Sequence, residues 1–192
     1  IIGETHRTFD DRLVAAGALQ RRCVPGIEYV PGGVFTDSRA CVSGGLFVAI
    51  AGDTHDGHDH LEVVCAGGAR AAMVRHGTSM PDGLTGVHVD DPRSALGVLA
   101  AAWRRQCERL RVVGITGTAG KTTTKNVLVH LLGTSRRVVG SPNSFNNDIG
   151  VPHTLFLADN STEALVVEIG TNAPGEIAAL CRTARPTGAI IT

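Results

Sequence analysis

The sequence lacks the features that mark several common protein classes. Its eighteen basic residues balance eighteen acidic ones, so no net charge attracts the chain to nucleic acid or to an anionic membrane. No run of about 18 apolar residues is present, and the first residues lack the basic-then-apolar layout of a signal peptide. We therefore expect a soluble, cytoplasmic protein that binds no nucleic acid and inserts into no membrane.

Cysteine pairs are also missing. The five cysteines are odd in number, scattered and never spaced as C-x-x-C, which argues against a disulfide framework and a zinc knuckle. The run HDGHDH (55–60) has histidines and aspartates that could suggest zinc, but no distant Cys or His pair completes a tetrahedral set. A polar turn that caps a helix is the favoured interpretation of this run, and we expect no zinc site.

The first half of the chain predicts a small α/β domain over residues 1–90. Short apolar runs separated by glycine predict strands, and the pattern HLEVVCAG predicts a helix between the second and third of them. The predicted strands cover residues 33–37, 46–52, 69–75 and 86–90.

A helix that begins after Asp91 marks the expected domain boundary. Asp91 is a suitable N-cap, and Pro92 stands at the first helical position. Polar residues of this helix, Arg104, Arg105 and Glu108, are expected on the face opposite an apolar stripe. The stripe consists of Leu96, Leu99, Ala100, Trp103, Cys107 and Leu110. Trp103 is interpreted as a core anchor.

The second half, residues 91–192, alternates apolar strands with helices. Strands that are apolar throughout predict a mainly parallel sheet covered by helices on both faces, with ligands beyond the carboxyl ends of the strands. The strands are predicted at 110–116, 137–140, 163–170 and 188–192, and the helices at 121–132, 151–158 and 175–184. Because the chain begins with Ile1 and ends in a strand-like run, we expect it to be a piece of a longer protein.

A phosphate-binding loop follows the first of these strands, in GTAGKTTT (117–124). Glycines let successive amides point inward, and the following helix adds its positive end, so the loop can cradle phosphate. Lys121 is expected to reach the β and γ phosphates of ATP, and the Thr122 hydroxyl to hold Mg²⁺. Ile115 stands where the usual motif has its first glycine. The predicted ATP-binding residues are Gly117, Thr118, Ala119, Gly120, Lys121, Thr122 and Thr123.

Two further segments carry polar residues, and the first faces the phosphate loop if its strand lies beside the strand that precedes the loop. Glu168 ends a buried strand, where a carboxylate is costly unless it meets a cation, so Glu168 is predicted to bind Mg²⁺ and to be catalytic with Lys121. A capping or surface glutamate is the alternative. Asn143, Asn146 and Asn147 suit either a turn-rich loop or a polar substrate cradle, and the residues alone favour the turn.

Together these segments resemble the Mur ligase family. ITGTAGKTTTK (115–125) resembles its shortened P-loop, in which a residue such as Ile115 is normal. The segments SFNNDIGVPHTL, VVEIGTNAPGEIAAL and ARPTGAIIT resemble the MurF branch more than MurE, the closest competitor. In the first half, Asp37, Ser38 and Arg39 match a D-S-R element, and 56–58 match a D-G-H element.

The resemblance implies a function for each half. The first domain would hold the UDP part of the substrate, with Ser38 and Arg39 among the binding residues. Asn146 and Asn147 would face the muramoyl sugar, and Asn172 would lie near it. The implied cofactors are ATP and Mg²⁺, the implied partners are UDP-N-acetylmuramoyl-tripeptide and D-alanyl-D-alanine, and the expected state is a monomer.

The implied reaction is amide-bond formation through an acyl phosphate made with ATP. Further active-site elements of the family would follow Thr192, so we expect the 192-residue chain by itself to be inactive. The alternatives are a MurE-type ligase, which adds the third stem-peptide residue, and a P-loop nucleotide-binding module without ligase activity. A P-loop phosphotransferase or GTPase is disfavoured because the chain has no D-x-x-G or N-K-x-D base-reading element.

Overall fold

The structure, a computed structural model, describes residues 33–159 and 161–192. The chain divides into two compact units between Leu99 and Ala100, inside one helix. Each unit contains a four-stranded parallel sheet flanked by helices, which confirms the predicted α/β fold class. The domain boundary after residue 90 stays a prediction.

In the first unit, four parallel strands lie side by side in chain order. They are β1 (Val34–Phe35), β2 (Leu46–Val48), β3 (Ala71–Arg75) and β4 (Thr85–Val89). Helix α1 (Leu61–Ala66) connects β2 to β3 and buries Leu61 and Val64, which are three residues apart and so share one face. Strand β2 is shorter than predicted because the chain after Ala49 pairs with the following segment instead of β3: the Gly57 N–H donates to the Ile50 carbonyl, and Ala51 forms a bridge with Asp56.

Helix α2 (Pro92–Gln106) begins where the sequence predicted. The Asp91 carboxylate accepts hydrogen bonds from the N–H groups of Arg93 and Ser94, each at 3.1 Å, as an N-cap does. Within the second unit, Trp103 is half-buried and donates its indole N–H to the Ala158 carbonyl at 3.1 Å; its interpretation as a core anchor stays a prediction.

The predicted polar face of this helix needs a correction at Arg104. Its side chain is not exposed beside Arg105 and Glu108 but buried, with 8% of its surface accessible. The helix ends at Gln106, and the Arg104 guanidinium donates to the Cys107 carbonyl at 2.9 Å and to the Leu110 carbonyl at 3.2 Å. The same guanidinium donates to the Ala184 carbonyl at 3.1 Å, so Arg104 is buried among backbone carbonyls of segments outside its own helix.

The second unit is a sheet with the strand order β6-β7-β5-β8. Its strands are β5 (Arg111–Thr116), β6 (Val138–Gly140), β7 (Ala164–Glu168) and β8 (Gly188–Ile191), and its helices are α3 (Lys121–Gly133), α4 (Gly150–Phe156) and α5 (Glu176–Ala184). Right-handed crossovers in this order place α3 on one face and α4 with α5 on the other. Among residues 33–159 and 161–192, no helix has both the length and the apolar character that crossing a membrane requires.

The strand order of the second unit creates a crevice at the carboxyl ends of β5 and β7. These two strands are neighbours, with Ile115 in register with Glu168. The chain leaves β5 towards β6 and leaves β7 towards β8, so the two connections diverge. In open parallel sheets such a switch of direction opens a ligand-binding crevice. The last residues of β5 and β7 therefore face a common site.

Candidate active site

The loop between β5 and α3 has a backbone that only glycine accepts readily at two positions. Gly117 has φ 133° and Gly120 has φ 81°, both in the region that disfavours side chains. A Cβ on Gly117 would also overlap the backbone of Thr192. The order of strand, glycine loop and helix that the motif predicted is present, and the loop stands at the positive end of a 13-residue helix.

The first two residues of α3 turn towards the crevice. Lys121 Nζ donates to the Gly117 carbonyl at 2.7 Å, across the loop that the motif predicts to bind phosphate. The Thr122 hydroxyl donates to Glu168 Oε2 at 2.9 Å. The structure therefore brings together the lysine, the hydroxyl and the carboxylate that the sequence predicted at one mouth.

Glu168 is a buried carboxylate held by neutral groups. Only 2% of its surface is accessible, and its second oxygen accepts a hydrogen bond from Asn146 Nδ2 at 3.0 Å. Within the described part of the chain, no Lys, Arg or His forms an ion pair with Glu168. Burying a charged carboxylate without a cation is costly, so this position is suited to a metal ion supplied with a ligand.

The geometry of Thr122 and Glu168 fits Mg²⁺. Both offer hard oxygen atoms, and these lie 2.9 Å apart. Neighbouring ligands in an octahedron with Mg–O distances of about 2.0–2.1 Å are also about 2.9 Å apart. The two side chains can thus occupy adjacent positions around one Mg²⁺, which would leave the remaining positions to phosphate oxygens and water.

The asparagine segment contains the turn that the residues alone favoured, and its role as a substrate cradle stays a prediction. Asn147 Oδ1 accepts hydrogen bonds from the N–H groups of Ile149 and Gly150, at 3.2 and 2.8 Å, and so caps the start of α4. Asn143 has a left-handed backbone with φ 44°, as turn asparagines often do. Asn146 instead faces the site, because its amide group contacts Glu168.

Asn172 lies in an exposed loop after β7. The Glu176 carboxylate accepts its N–H at 2.6 Å and that of Ala173 at 3.1 Å, and these bonds hold the pKa of Glu176 below its usual value. None of the hydrogen bonds described for Asn172 joins it to Asn146 or Glu168. The Asn172 backbone is thus bonded to the side chain of Glu176, the first residue of α5. Its predicted contact with the sugar stays a prediction.

Two buried residues that the sequence analysis did not single out support the site. Ser141 Oγ accepts the backbone N–H of Glu168 at 3.0 Å. Lys125, only 4% accessible, donates to the carbonyls of Ser141 and Asn143. The signal for Lys125 was its spacing, since a residue four positions after Lys121 lies on the same face of a helix. No local pattern pointed to Ser141.

In the first unit, the predicted substrate residues Ser38 and Arg39 belong to a short 3-10 helix, Ser38–Ala40. Asp37 caps this helix and also accepts the Arg39 guanidinium at 2.9 and 2.8 Å. Hydrogen bonds from the Arg39 side chain and backbone lower the pKa of Asp37 to about 2. The Arg39 side chain is 88% exposed, so its charge stands at the surface of the unit.

The D-G-H element forms the capped turn that its pattern predicted. Asp56 caps the 3-10 helix Gly57–His60. Its carboxylate accepts a hydrogen bond from the backbone N–H of His58 at 3.0 Å and lies 2.5 Å from Nδ1 of the His58 ring. Arg75 completes the cluster, because its guanidinium donates to Asp56 at 2.9 Å and its N–H donates to His58 Nε2 at 3.0 Å. Sequence reasoning missed Arg75, which lies 19 positions from Asp56. In the described residues, no three His, Cys, Asp or Glu side chains form a metal-binding group.

Comparison with known families matches both units. Residues 115–192 match the family model described as the Mur ligase middle domain, and residues 32–104 match the one described as the Mur ligase family, catalytic domain. The chain belongs to the Mur ligase family. The phosphate loop and Glu168 lie in the middle-domain match, and Asp37 and Asp56 lie in the other.

Named relatives place the chain near MurF. It is 39% identical over 161 residues to the UDP-N-acetylmuramoyl-tripeptide--D-alanyl-D-alanine ligase of Bacillus subtilis, an alignment that covers 83% of this chain and 35% of the relative. A crystal structure of MurF from Acinetobacter baumannii aligns with a TM-score of 0.82 at 32% identity, covering 94% of this chain and 39% of that one. Within the family, the chain is therefore MurF-like.

A third similar structure is a complex with a nucleotide. The crystal structure of MurF ligase from Thermotoga maritima in complex with ADP aligns with a TM-score of 0.72 at 32% identity, covering 82% of this chain and 36% of that one. The chain spans between a third and two fifths of the length of these relatives.

Proposed function

We propose that this chain supplies the UDP-substrate domain (1–90) and part of the ATP-binding domain (91–192) of a ligase. The ligase joins D-alanyl-D-alanine to UDP-N-acetylmuramoyl-tripeptide. The observation that carries the proposal is the buried Glu168 carboxylate, which shares a hydrogen bond with Thr122 beside the glycine loop and meets no cation of the described chain. This arrangement suits Mg²⁺ and nucleotide phosphate, and ADP in the Thermotoga maritima relative agrees with it.

In the proposed reaction, the chain's own groups bind and orient ATP. The residues of the phosphate loop, 117–123, direct backbone N–H groups at the phosphates, and Lys121 Nζ stabilises charge on the transferred phosphoryl group. Thr122 and Glu168 would hold Mg²⁺, which would supply positive charge to the phosphates when bound. Lys121 Nζ donates one hydrogen bond to the Gly117 carbonyl, and an ammonium group has three donors, so the other two are assigned to phosphate oxygens.

The bond changes balance without a nucleophile from the protein. An oxygen of the peptide carboxylate attacks the γ-phosphorus of ATP, the bond to the β–γ bridging oxygen breaks, and ADP leaves. The amine of D-alanyl-D-alanine then attacks the acyl carbon, the bond from this carbon to the phosphate oxygen breaks, phosphate leaves with the bonding pair, and the amine loses a proton to water. Catalysis is therefore a task of position and charge stabilisation.

Polar residues of both units are assigned to the UDP-sugar substrate. Ser38 and the exposed Arg39 suit the anionic UDP group. The Asn147 side-chain oxygen caps α4. We assign the amide nitrogen of the same side chain to the sugar hydroxyls, as a hydrogen-bond donor. Asn146 links this segment to Glu168, and Asn172 is assigned to the same sugar.

The deciding experiment measures ADP release by the full-length protein with ATP, Mg²⁺, UDP-N-acetylmuramoyl-tripeptide and D-alanyl-D-alanine. We expect ADP release that depends on both UDP-N-acetylmuramoyl-tripeptide and D-alanyl-D-alanine. A MurE-type ligase would instead respond to the UDP-muramoyl-dipeptide with a single amino acid. ATP binding without ADP release under either condition would leave a nucleotide-binding module and overturn the proposal.

A further inference from the structure

Helix α3 carries a second lysine towards the site. Lys125 follows Lys121 by four residues and Thr122 by three, which places all three side chains on one side of the helix. Unlike Lys121, Lys125 does not reach the loop 117–120. It is 4% accessible and points to the segment that follows β6.

The partners of Lys125 are backbone carbonyls. Its Nζ donates to the Ser141 carbonyl at 2.8 Å and to the Asn143 carbonyl at 2.9 Å. In the described ranges it forms no ion pair with a carboxylate. A buried ammonium group with neutral partners is expensive, so apolar packing would stabilise this position at lower cost. What the lysine provides is a fixed position for segment 141–143, whose Asn143 has a left-handed backbone.

Three hydrogen bonds connect this segment with Glu168 and the residues after it. Ser141 Oγ accepts the Glu168 N–H at 3.0 Å. Asn146 Nδ2 donates to the Glu168 carboxylate at 3.0 Å, and the Asn146 carbonyl accepts the Gly170 N–H at 2.8 Å. Movement of segment 141–146 would therefore move the carboxylate away from Thr122.

We propose that Lys125 is a positioning residue of the Mg²⁺-nucleotide site. By clamping segment 141–146 onto α3, it keeps the Glu168 carboxylate in the orientation shared by Thr122 and Asn146. Its Nζ contacts neither the phosphate loop nor the proposed metal ligands, so it acts through Ser141 and Asn146. The kinetic part of this proposal rests on the proposed ligase function.

The first test compares Lys125→Met with Lys125→Arg in the full-length protein. Residues that orient metal ligands affect metal affinity or activity by about 10–100-fold when they are changed. We expect Lys125→Met to raise the Mg²⁺ midpoint of turnover and to lower kcat within that range, with little change in the KM for D-alanyl-D-alanine. Lys125→Arg keeps a cationic donor, so its Mg²⁺ midpoint should lie much closer to that of the wild type than the midpoint of Lys125→Met does.

Arg104→Met provides a matched control in the same unit. Arg104 is also a buried cation bound by backbone carbonyls, those of Ala184, Cys107 and Leu110, and none of these contacts Glu168. We expect it to lower the melting temperature at least as much as Lys125→Met while the Mg²⁺ midpoint stays unchanged. A midpoint that moves equally in both variants would reduce Lys125 to a stability role and overturn the proposal.

A second readout separates this proposal from the ligase assignment. Hydrogen exchange of the Glu168 and Gly170 amides in the 192-residue chain requires no activity. Lys125→Met should accelerate their exchange more than Arg104→Met does, because these amides donate to the clamped segment. Faster exchange in the 192-residue chain, combined with no ligase activity of the full-length protein, would contradict only the proposed function, and unchanged exchange would overturn the clamp. If Lys125→Met does not fold, Lys125→Gln and Arg104→Gln undergo the same comparison with the same criteria.

Discussion

The two units of the chain use the same kind of sheet but arrange their polar residues differently. In the first unit, Asp37 binds Arg39 only two positions away, and both side chains are substantially exposed. In the second, Thr122 and Glu168 lie 46 positions apart, and Glu168 is buried. The first unit thus has exposed charged side chains that are paired within one short turn. The second unit forms a buried site from segments that are distant in the sequence.

This contrast separates two kinds of binding group. An exposed, locally paired arginine can turn towards an anionic ligand at small cost, because water screens the pair. A buried carboxylate has a desolvation cost that lowers the stability of the folded protein. It can bind a cation only if its position is precise. Substitutions in the second unit should therefore affect turnover strongly, and substitutions in the first should affect stability or binding more modestly.

Lys121→Ala should give the largest effect, a loss of turnover of about a thousandfold or more in the full-length protein, equivalent to about 4 kcal/mol of barrier. The melting temperature should change little, since Lys121 is only half-buried and bonds one loop carbonyl. Steady-state kinetics and thermal unfolding measure both. Arg105→Ala, at an exposed position of α2, is the control. Turnover within about tenfold of wild type would contradict the role of Lys121.

Glu168→Gln should raise the Mg²⁺ midpoint of turnover by about tenfold or more, because an amide keeps the shape but loses the charge that a hard cation prefers. The KM for the UDP-substrate should change much less. Glu163→Gln tests a carboxylate at the opposite end of the same strand, where Glu163 accepts the Arg137 N–H, and should leave the midpoint unchanged. An unshifted midpoint in Glu168→Gln would return this residue to a structural role.

Asp56→Ala should destabilise the first unit by about 1–2 kcal/mol, since it removes the cap of the 3-10 helix and the acceptor of Arg75. Faster hydrogen exchange at residues 57–60, with no change in Mg²⁺ dependence, is the expected result. Equal acceleration of exchange in the second unit would contradict this local effect.

The stability that Asp56 contributes should also depend on pH. The His58 N–H, bonded to the carboxylate, lowers the pKa of Asp56 in the folded protein. This contribution is complete above the pKa of an unfolded aspartate and disappears as pH falls through the lower folded pKa. Denaturant unfolding of wild type and Asp56→Ala across this acidic range should give curves that converge at the low end.

Arg39→Ala should give the smallest effect on stability, below what thermal unfolding resolves, because the pair with Asp37 is exposed. Its signature is instead the titration of Asp37, whose pKa of about 2 should return towards the ordinary aspartate range when the guanidinium is lost. Carboxyl NMR of the chain measures this, with Arg70→Ala as the control. A titration of Asp37 unchanged by Arg39→Ala would contradict local pairing.

The sequence by itself determined the α/β class, nearly every strand and helix, and the glycine loop with its Lys121 and Thr122. These features follow from short-range patterns: apolar runs, helical spacing, caps and glycines that accept positive φ. Even the proximity of Glu168 to the loop followed from the rule that parallel strands end at one edge.

Only the tertiary structure decided which polar residues are buried and what they contact. The sequence placed Arg104 on a polar face, but it binds carbonyls beyond the end of its own helix. Likewise, Asn147 caps a helix while its neighbour Asn146 reaches Glu168, and Lys125 clamps carbonyls 16 and 18 positions away. Helical and strand periodicity assigns a residue to a face, but its hydrogen-bond partners come from segments that only folding brings together.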